Sequence, residues 1–295
     1  MTKTVFLTIA GRTNAGKSSL LNTVVGEKIA SVSSKSQTTR TRITGIKTIG
    51  ETQLVFMDTP GLHKPKNKLS AHMLNAVKES VTDIDAVIFM ADCTHPLGEQ
   101  EENMLRDICR RKIPVIFVLN KIDLLDNMSK LAPIIASLSS KFDLEAIVPV
   151  SVKENNGIDI VINEAMKLAA ESPHFFPDDM ITDQPERIIA AEMIREKVLR
   201  STRDEVPHSI AVEIDEFKVR DNDDIYIRAN IFVERESQKG IVIGAKGSLL
   251  KKIGEQARKD IESLLGNKVF LDLWVKVKPD WRNKDKALKQ FGYEG

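Results

Sequence analysis

The segment Gly11-Arg12-Thr13-Asn14-Ala15-Gly16-Lys17-Ser18 decides the fold class of the first half of the chain. It follows an apolar run typical of a strand and precedes an apolar spacing typical of a helix. The segment matches GxxxxGK[ST], in which backbone N–H groups wrap phosphates, a lysine reaches the terminal phosphates and a hydroxyl binds Mg²⁺. It therefore predicts a phosphate-binding loop with these nucleotide-binding residues: Gly11, Asn14, Ala15, Gly16, Lys17, Ser18 and Ser19.

Around this loop, short apolar runs alternate with helical patterns, as in a mostly parallel sheet covered by helices. The predicted strands are Val5 to Ala10, Ile43 to Ile49, Leu54 to Met57, Ala86 to Ala91, Val115 to Leu119 and Ala146 to Val150. The predicted helices are Lys17 to Val25, Lys68 to Thr82, Glu99 to Arg111, Met128 to Leu138 and Ile158 to Ala170. We therefore expect an α/β domain of the P-loop class.

The periodic pattern stops between residues 171 and 185, where three prolines interrupt it. We predict an interdomain linker there, between a first domain of residues 1–170 and a second of residues 186–295. The second half is predicted to contain a helix (Glu186 to Arg200), two strands (Ser209 to Lys218 and Asp224 to Phe232), a helical region (Gly244 to Leu265), a strand (Lys268 to Val277) and a basic tail. This order predicts a smaller α+β domain.

Composition indicates the cellular environment of the protein better than it indicates a binding partner. The 295 residues carry a net charge of +1, which by itself indicates neither a nucleic acid nor a membrane. Cys93 and Cys109 lie in apolar stretches without a CxxC partner, so neither a disulfide framework nor a zinc site is expected. No apolar run approaches the roughly 18 residues of a membrane helix, and a signal peptide is not evident. We expect a reduced, cytoplasmic protein.

The base-reading motif is Asn120-Lys121-Ile122-Asp123, which follows an apolar strand and matches NKxD. The Asp123 carboxylate can accept both N–H donors of the Watson-Crick edge of guanine, whereas N1 of adenine is itself an acceptor. Lys121 is expected along the base plane, and Asn120 is expected to connect this loop to the phosphate-binding loop. Backbone amides of Ser151-Val152-Lys153 are expected to hold guanine O6. Together these motifs predict GTP and GDP as ligands.

Two further segments predict a nucleotide-dependent switch. Asp58-Thr59-Pro60-Gly61 matches DxxG, in which the aspartate reaches Mg²⁺ through water and the glycine amide senses the γ-phosphate. Gln37-Thr38-Thr39-Arg40-Thr41 occupies the position of the first switch; Thr39 is expected to bind Mg²⁺, and Thr38 remains an alternative. The expected metal ligands are Ser18, Thr39 and Asp58, the expected catalytic residues are Lys17, Thr39 and Gly61, and Thr59 and Pro60 are expected to contact the nucleotide.

The set GRTNAGKS, QTTR, DTPG, NKID and SVK resembles the translation-factor-related GTPases, and the later Gly244-Ala245-Lys246-Gly247 narrows the resemblance to the Era family. The resemblance covers nearly the whole chain. It implies a C-terminal KH domain that binds the 3′ region of small-subunit ribosomal RNA, an RNA-binding form favoured by GTP, and a role in small ribosomal subunit assembly and maturation. It also implies Mg²⁺ as cofactor. K⁺ is a candidate, because Asn14 resembles the asparagine that coordinates K⁺ in some of these GTPases.

Two positions depart from related GTPases. In the segment Ser151-Val152-Lys153, Val152 replaces the alanine that related GTPases usually carry. The change should matter little, because backbone amides are expected to make the contact with guanine O6. Leu62 follows the DxxG glycine, where Ras-type enzymes carry the glutamine that orients the attacking water. A leucine cannot hydrogen-bond water, so we expect slow intrinsic hydrolysis.

The GxxG segment lies between an apolar run and a helix, as in KH folds, where such a loop clamps a nucleic-acid backbone. The expected RNA contacts are Ile243, Gly244, Ala245, Lys246, Gly247, Lys251 and Lys252. Residues 239–289 carry 13 lysines and arginines against 6 acidic residues, whereas residues 1–184 carry 21 against 22. The positive surplus therefore supports RNA binding, and an ordinary solvated surface is the alternative. Trp274 and Trp281 are expected to pack rather than to stack on bases.

Two other functions remain open from the sequence. One is an ATP-dependent P-loop enzyme such as a kinase, which the NKxD motif disfavours. The other is a protein-interaction switch whose basic domain docks on an acidic protein or a membrane surface. We expect a monomer, and peripheral contact with the inner face of the cell membrane remains an open question.

Overall fold

The computed structural model describes residues 1–33, 35, 39–40, 43–58, 68–70, 73, 84–204 and 206–293. These residues divide into two units. The first contains the described residues of Met1–Glu27, Arg42–Lys64 and Leu74–Asp183, and the second contains those of Lys28–Thr41, Pro65–Met73 and Gln184–Gly295.

The first unit is an α/β layer structure with a mostly parallel sheet, as the sequence predicts. Its elements are β1 (Lys3–Gly11), α1 (Lys17–Val25), β2 (Ile43–Ile49), β3 (Thr52–Asp58), β4 (Ala86–Asp92), α2 (Glu99–Arg110), β5 (Val115–Asn120), α3 (Leu131–Lys141), β6 (Ala146–Pro149), α4 (Ile158–Lys167) and β7 (Ala170–Glu171). The strand order is β2-β3-β1-β4-β5-β6. Strands β2 and β7 run antiparallel to their partners, and the other pairs are parallel.

The central strands are buried, as expected for parallel strands covered on both faces. Val5, Leu7 and Ile9 of β1 are fully buried, and Phe89 of β4 stacks on Phe117 of β5 with a ring-centroid distance of 5.6 Å. This core holds the carboxyl ends of the strands in fixed register, so the loops that follow them are anchored.

Two helix predictions differ from the structure at one end, and a third lies mostly outside the described residues. Helix α3 begins at Leu131 rather than Met128, because residues 128–130 form a separate 3₁₀ turn. Helix α4 ends at Lys167 rather than Ala170, because Ala170 and Glu171 pair with β1 as β7. Of the predicted helix Lys68 to Thr82, only residues 68–70 and 73 are described, and they are helical.

Most of the predicted linker is part of the first unit, contrary to the predicted boundary at residue 170. The cause is Gln53, a fully buried polar side chain on β3. Its Oε1 accepts hydrogen bonds from the backbone N–H groups of Phe175 and Phe176, and its Nε2 donates to the Phe176 carbonyl. Because a buried amide must be hydrogen-bonded, this residue fixes the segment to the sheet.

The second unit contains a three-stranded sheet with its longer helices against one face and its C-terminal helix against part of the other. Its elements are α5 (Glu186–Ser201), β8 (Ala211–Val219), β9 (Ile225–Val233), α6 (Glu236–Ile243), α7 (Ser248–Leu265), β10 (Val269–Val277) and α8 (Asp285–Gln290). The strand order is β10-β9-β8, with β9 parallel to β10 and antiparallel to β8. Ile227 and Ile231 of β9 share a core with Ile253 and Ile261 of α7.

Two segments that precede residue 170 belong to the second unit, a membership that the sequence did not indicate. The Lys28 ammonium lies 2.8 Å from a Glu196 carboxylate oxygen. The Arg40 guanidinium donates to the Ile210 carbonyl and lies 5.6 Å from the centre of the Trp281 ring. These contacts place the first segment in this unit, and the described residues Leu69 and Met73 of the second segment lie in one apolar cluster with Trp281.

The basic tail is folded rather than simply a solvated charge run. Trp281, Leu288 and Tyr293 are buried in one apolar cluster, and the Trp281 indole N–H donates to the Ser209 carbonyl. Trp281 thus packs, as predicted. The packing prediction is wrong for Trp274, which is 56% exposed, because even-numbered residues of β10 alternate away from the helices.

Candidate functional site

The nucleotide motifs of the first unit meet at one edge of its sheet. Gly11, Asp58, Asp92 and Asn120 are the last residues of β1, β3, β4 and β5. These strands are parallel neighbours, and Asp92 is directly opposite Asn120 in the register. Ligands of open α/β sheets bind at this carboxyl edge, so the geometry gathers the motifs where a nucleotide can contact all of them.

The phosphate-binding loop depends on two glycines. A Cβ at Gly11 would lie 2.2 Å from the Met90 carbonyl oxygen, and a Cβ at Gly16 would lie 2.2 Å from Nδ2 of Asn120. Both residues also have positive φ angles, as does Asn14 at 65°. The tight loop leads directly into α1 at Lys17, so its backbone N–H groups and the helix N-terminus are adjacent.

Lys17 is held inside this loop. Its ammonium donates to the carbonyls of Gly11 and Arg12 at 3.1 and 3.0 Å, and the residue is buried. Burial lowers the pKa of Lys17 from its ordinary value, while the carboxylates of Asp58 and Glu101 act in the opposite direction. The ammonium is therefore a desolvated charge held next to the backbone that would wrap phosphates.

Ser18 and Asp58 form an oxygen donor pair. The Ser18 hydroxyl donates to Oδ2 of Asp58 at 2.6 Å, and Asp58 is fully buried. Hard oxygen ligands suit Mg²⁺, which binds nucleotide sites through one or two protein oxygens together with phosphate oxygens and water. No cluster of three or more His, Cys, Asp or Glu side chains that could hold a metal occurs in the described part of the chain. The donor set fits Mg²⁺ bound together with a nucleotide.

Asn120 connects three loops through its side-chain amide. Its Nδ2 donates to the Ala15 carbonyl at 2.8 Å, which is the contact predicted from the sequence. Its Oδ1 accepts the backbone N–H of Val152 at 3.1 Å, a contact that the sequence did not suggest. The residue is 3% exposed. The amide therefore ties the phosphate loop and both base-reading loops together.

The Asp123 carboxylate, which the sequence predicts to read the base, is positioned by Ser151. The Ser151 hydroxyl donates to Oδ1 of Asp123 at 2.6 Å, and Lys153 Nζ lies 3.9 Å from Oδ2. The backbone N–H of Ser151 donates to Asn156, and that of Val152 donates to Asn120. Among the described residues, the N–H of Lys153 has no acceptor, which leaves it available to donate to a ligand.

Asp92 also lies in the site, although none of the sequence motifs includes it. Lys121 has a positive φ of 69°, and its ammonium lies 2.6 Å from Oδ2 of Asp92. Burial alone would raise the pKa of Asp92, but hydrogen bonds from Lys121 and Thr94 outweigh it and lower the pKa. The contact fixes the lysine stem, and the position of Asp92 at a strand end was the available sequence signal.

Part of the predicted site lies outside the described residues. Thr59, Pro60, Gly61 and the alternative metal ligand Thr38 fall there, as does Leu62. Thr39 is buried and belongs to the second unit. The contributions of these residues to metal binding and catalysis stay predictions.

The GxxG segment of the second unit forms a tight turn between α6 and α7. A Cβ at Gly244 would lie 2.7 Å from Cβ of Leu249, whereas a Cβ at Gly247 would meet nothing within 4 Å. Lys246, between them, has φ 50° and ψ 30°. The first glycine therefore permits close packing against α7, and the second leaves an open approach to the backbone of the turn.

A groove of about 420 Å³ lies beside this turn, between α7 and β10. Its lining includes two of the expected RNA contacts, Gly247 and Lys251. It also includes Arg258, a cation of the predicted basic segment, and residues that the sequence did not indicate: Leu250, Gly254, Glu255, Leu271 and Leu273. The apolar floor can hold bases, whereas Lys251 and Arg258 at the rim pair with Glu255 and Glu262. Gly254 lies in the middle of α7 and has no side chain to fill the groove. A glycine at such a position was the sequence signal that could have indicated this surface.

The remaining expected RNA contacts lie elsewhere. Ile243 packs against the apolar core of the unit, and Lys252 lines a separate cavity between α5 and α7. Within the described ranges, no helix is long and apolar enough to cross a bilayer.

Comparisons with known proteins agree with this two-part organisation. Residues 6–121 match the family described as "50S ribosome-binding GTPase", and residues 205–282 match the family described as "KH domain". The chain is 50% identical to GTPase Era of Ruminiclostridium cellulolyticum over 292 residues, which covers 99% of this chain and 98% of the relative.

Two solved structures resemble the whole chain. Era in complex with MgGDPNP and nucleotides 1506-1542 of 16S ribosomal RNA shares 40% identity and a TM-score of 0.95, with 100% of both chains covered. A single-residue variant of Aquifex aeolicus Era bound to GDP.AlF4- shares 40% identity and a TM-score of 0.95, with 99% of this chain and 100% of the other covered. With a full-length relative at half identity and both units matched, this chain belongs to the Era family of GTPases.

Proposed function

We propose that this chain is a GTP-hydrolysing switch whose KH unit binds the 3′ region of small-subunit ribosomal RNA and which acts in small ribosomal subunit assembly and maturation. The observation that carries the proposal is the full-length likeness to Era bound to MgGDPNP and 16S ribosomal RNA. The groove beside the GxxG turn supports it, because its apolar floor suits the bases of single-stranded RNA.

The nucleotide site would act mainly by positioning and electrostatics, as phosphoryl transfer requires. Lys17 and the loop N–H groups would hold the phosphates, Ser18 and Asp58 would hold Mg²⁺, and Asp123 would read the base. Bound Mg²⁺ would supply positive charge to the terminal phosphates. We propose that the residues around Thr39 and Gly61 follow the γ-phosphate and so make RNA binding depend on the nucleotide.

Base recognition is tested with Asp123→Asn. The amide should shift preference from guanosine to xanthosine triphosphate, because it offers a donor where xanthine offers a carbonyl. Nucleotide competition measured by calorimetry gives the ratio of the two affinities. An unchanged preference for guanine would refute the assignment of Asp123.

RNA binding and its control by nucleotide are tested by filter binding. Affinity for the 3′ segment of 16S ribosomal RNA is measured with GDP and with a non-hydrolysable GTP analogue, and a higher affinity with the analogue is expected. Lys246→Glu with Gly247→Asp should weaken binding by more than about tenfold, because both place negative charge at the phosphate clamp. Ser129→Asp with Lys130→Glu, an equal charge change on the first unit, is the control. Equal loss in both variants would contradict a specific GxxG contact.

Finer attributes are proposals with their own tests. K⁺ is proposed as a second cation near Asn14, and equal hydrolysis rates in K⁺ and Na⁺ would refute this proposal.

We propose that the protein is a monomer in the cytoplasm. Sedimentation of the purified chain measures its oligomeric state. Peripheral membrane contact is proposed for the basic second unit, and co-sedimentation with anionic vesicles tests it.

A further inference from the structure

Helix α7 carries its cations on two faces that differ in ion pairing. On the groove face, Lys251 lies 4.0 Å from Glu255 and Arg258 lies 3.1 Å from Glu262, each four residues later. Lys252 and Lys259 lie on a neighbouring face, about 100° around the helix. The residues four positions after them are Gln256 and Ser263, which carry no charge. Glu255 and Glu262 lie three residues after Lys252 and Lys259, but these acids pair with Lys251 and Arg258, so neither lysine of the second face forms an ion pair within its own helix.

This second face lines a cavity of about 720 Å³ between the C-terminal end of α5 and α7, which we call the α5–α7 cavity. Its cationic lining residues are Lys35, Lys197, Arg200, Arg203, Lys252 and Lys259. Among the described lining residues, Asp260 carries the one carboxylate. A cleft lined by charges of one sign focuses the field and concentrates ligands of the opposite sign.

Only some of these cations form ion pairs with acidic side chains. Lys197 pairs with Asp260, and Arg200 lies 3.1 Å from a carboxylate oxygen of the buried Glu196. Arg203, Lys252 and Lys259 make no ion pair with any described residue. The carbonyl of Thr202, near the end of α5, accepts a hydrogen bond from Lys35, which offsets the partial negative charge of that helix end. Within the described part of the chain, the cavity is thus left with three cations that lack an acidic partner.

We propose that the α5–α7 cavity is a second RNA contact, which takes backbone phosphates of the segment flanking the strand in the groove. The inference rests on the proposed RNA binding of the KH unit and extends it. A helix is about 10–12 Å across with its side chains, so RNA lying in the groove reaches the cavity within a few nucleotides. Among the described lining residues, Leu249 is the one large apolar side chain, which argues against a protein partner, because protein interfaces need buried apolar anchors.

The test uses the full-length chain with a GTP analogue and nested fragments of 16S ribosomal RNA, from the segment of nucleotides 1506-1542 seen with the related Era down to about four nucleotides, the length that a KH loop clamps. Lys252→Gln with Lys259→Gln removes two exposed cations without touching the core. Affinity for the long fragment should fall about tenfold, and the slope of log affinity against log salt should be less steep by about 1.4, or about 0.7 per contact. Affinity for the shortest binding fragment should not change.

Lys130→Gln with Lys167→Gln removes the same charge from the first unit and should leave every fragment unaffected. Arg203→Gln should repeat the loss for long RNA from the α5 side of the cavity. Wild-type affinity and slope in the Lys252/Lys259 variant would overturn the second contact and leave a protein partner as the occupant to consider. Equal weakening of short and long fragments would also overturn it, because the lysines would then act on the groove. Failure of the unaltered chain to bind any fragment would instead refute the proposed RNA binding.

Discussion

Replacing Ser151 by alanine tests how the base-reading carboxylate is held. The Ser151 hydroxyl donates to Oδ1 of Asp123 at 2.6 Å and accepts the backbone N–H of Glu154 at 3.2 Å, and the residue is 1% exposed. The change removes the group that orients the carboxylate and leaves Asn120 and the phosphate loop intact.

The expected magnitude follows from the type of bond. A hydrogen bond to a charged group contributes about 1.5–3 kcal/mol. Water can replace part of it in the variant, so we expect about 1–2 kcal/mol of lost binding free energy, or roughly 5- to 30-fold weaker GDP binding. The phosphate contacts should be unaffected. The loss should therefore appear in the base-dependent part of the affinity.

Titration of GDP and inosine diphosphate by calorimetry separates the two parts. Inosine lacks the 2-amino donor, so it engages the carboxylate through fewer hydrogen bonds. The ratio of GDP to inosine diphosphate affinity should fall in Ser151→Ala and stay constant in Ser129→Ala, which removes an exposed hydroxyl of the same unit. Unchanged affinities for both nucleotides in Ser151→Ala would refute the positioning role, and an equal loss for both would place the effect outside base reading.

Three further predictions concern stability. Gly244→Ala should lower the melting temperature clearly more than Gly247→Ala, because only the first Cβ meets the backbone and side chain of Leu249; both lose about 1 kcal/mol from positive φ. Glu196→Gln should destabilise the second unit by about 3 kcal/mol, because three cations surround this buried carboxylate; urea unfolding followed by fluorescence reports on that unit, which holds both tryptophans. The folded-state pKa of Asp92 is lowered below 3.8, so the stability advantage of the wild type over Asp92→Asn should persist from about pH 7 to about pH 5 and shrink below pH 3.8; an advantage that grows on acidification would contradict the pairing.

Much of the nucleotide site could be predicted because its chemistry is written in short local motifs. Gly11, Lys17 and Asp123 carry fixed roles at strand ends, and the alternation of strands and helices fixes which edge they share. The hydrogen bond between the Asn120 side chain and the backbone of Val152 could not be predicted in the same way. Its bond to Val152 joins residues 32 positions apart, and no local pattern specifies that distance.

The unit boundaries failed for a related reason. A stretch with three prolines reads as a linker, but the buried Gln53 amide attaches it to the first unit through backbone groups that carry no sequence signature. Arg40 similarly reads as a switch residue, whereas its guanidinium is buried among groups of the second unit. Single polar side chains with long-range partners decide both cases, and composition cannot reveal them.

The lysine-rich segment shows that spacing carries information that a charge count loses. Counting gives one surplus for residues 239–289 and suggests one binding surface. On a helix, however, an acid can pair with a cation three or four residues away, and the pairing it makes decides which charge it offsets. Glu255 and Glu262 pair with Lys251 and Arg258 and not with Lys252 and Lys259, so the same seven-residue repeat produces a paired face and an unpaired face. The structure places a groove with an apolar floor against the first and an open cavity against the second. Bases suit the apolar floor and phosphates suit the uncompensated charge, so the two faces divide the two chemical parts of one RNA strand between them.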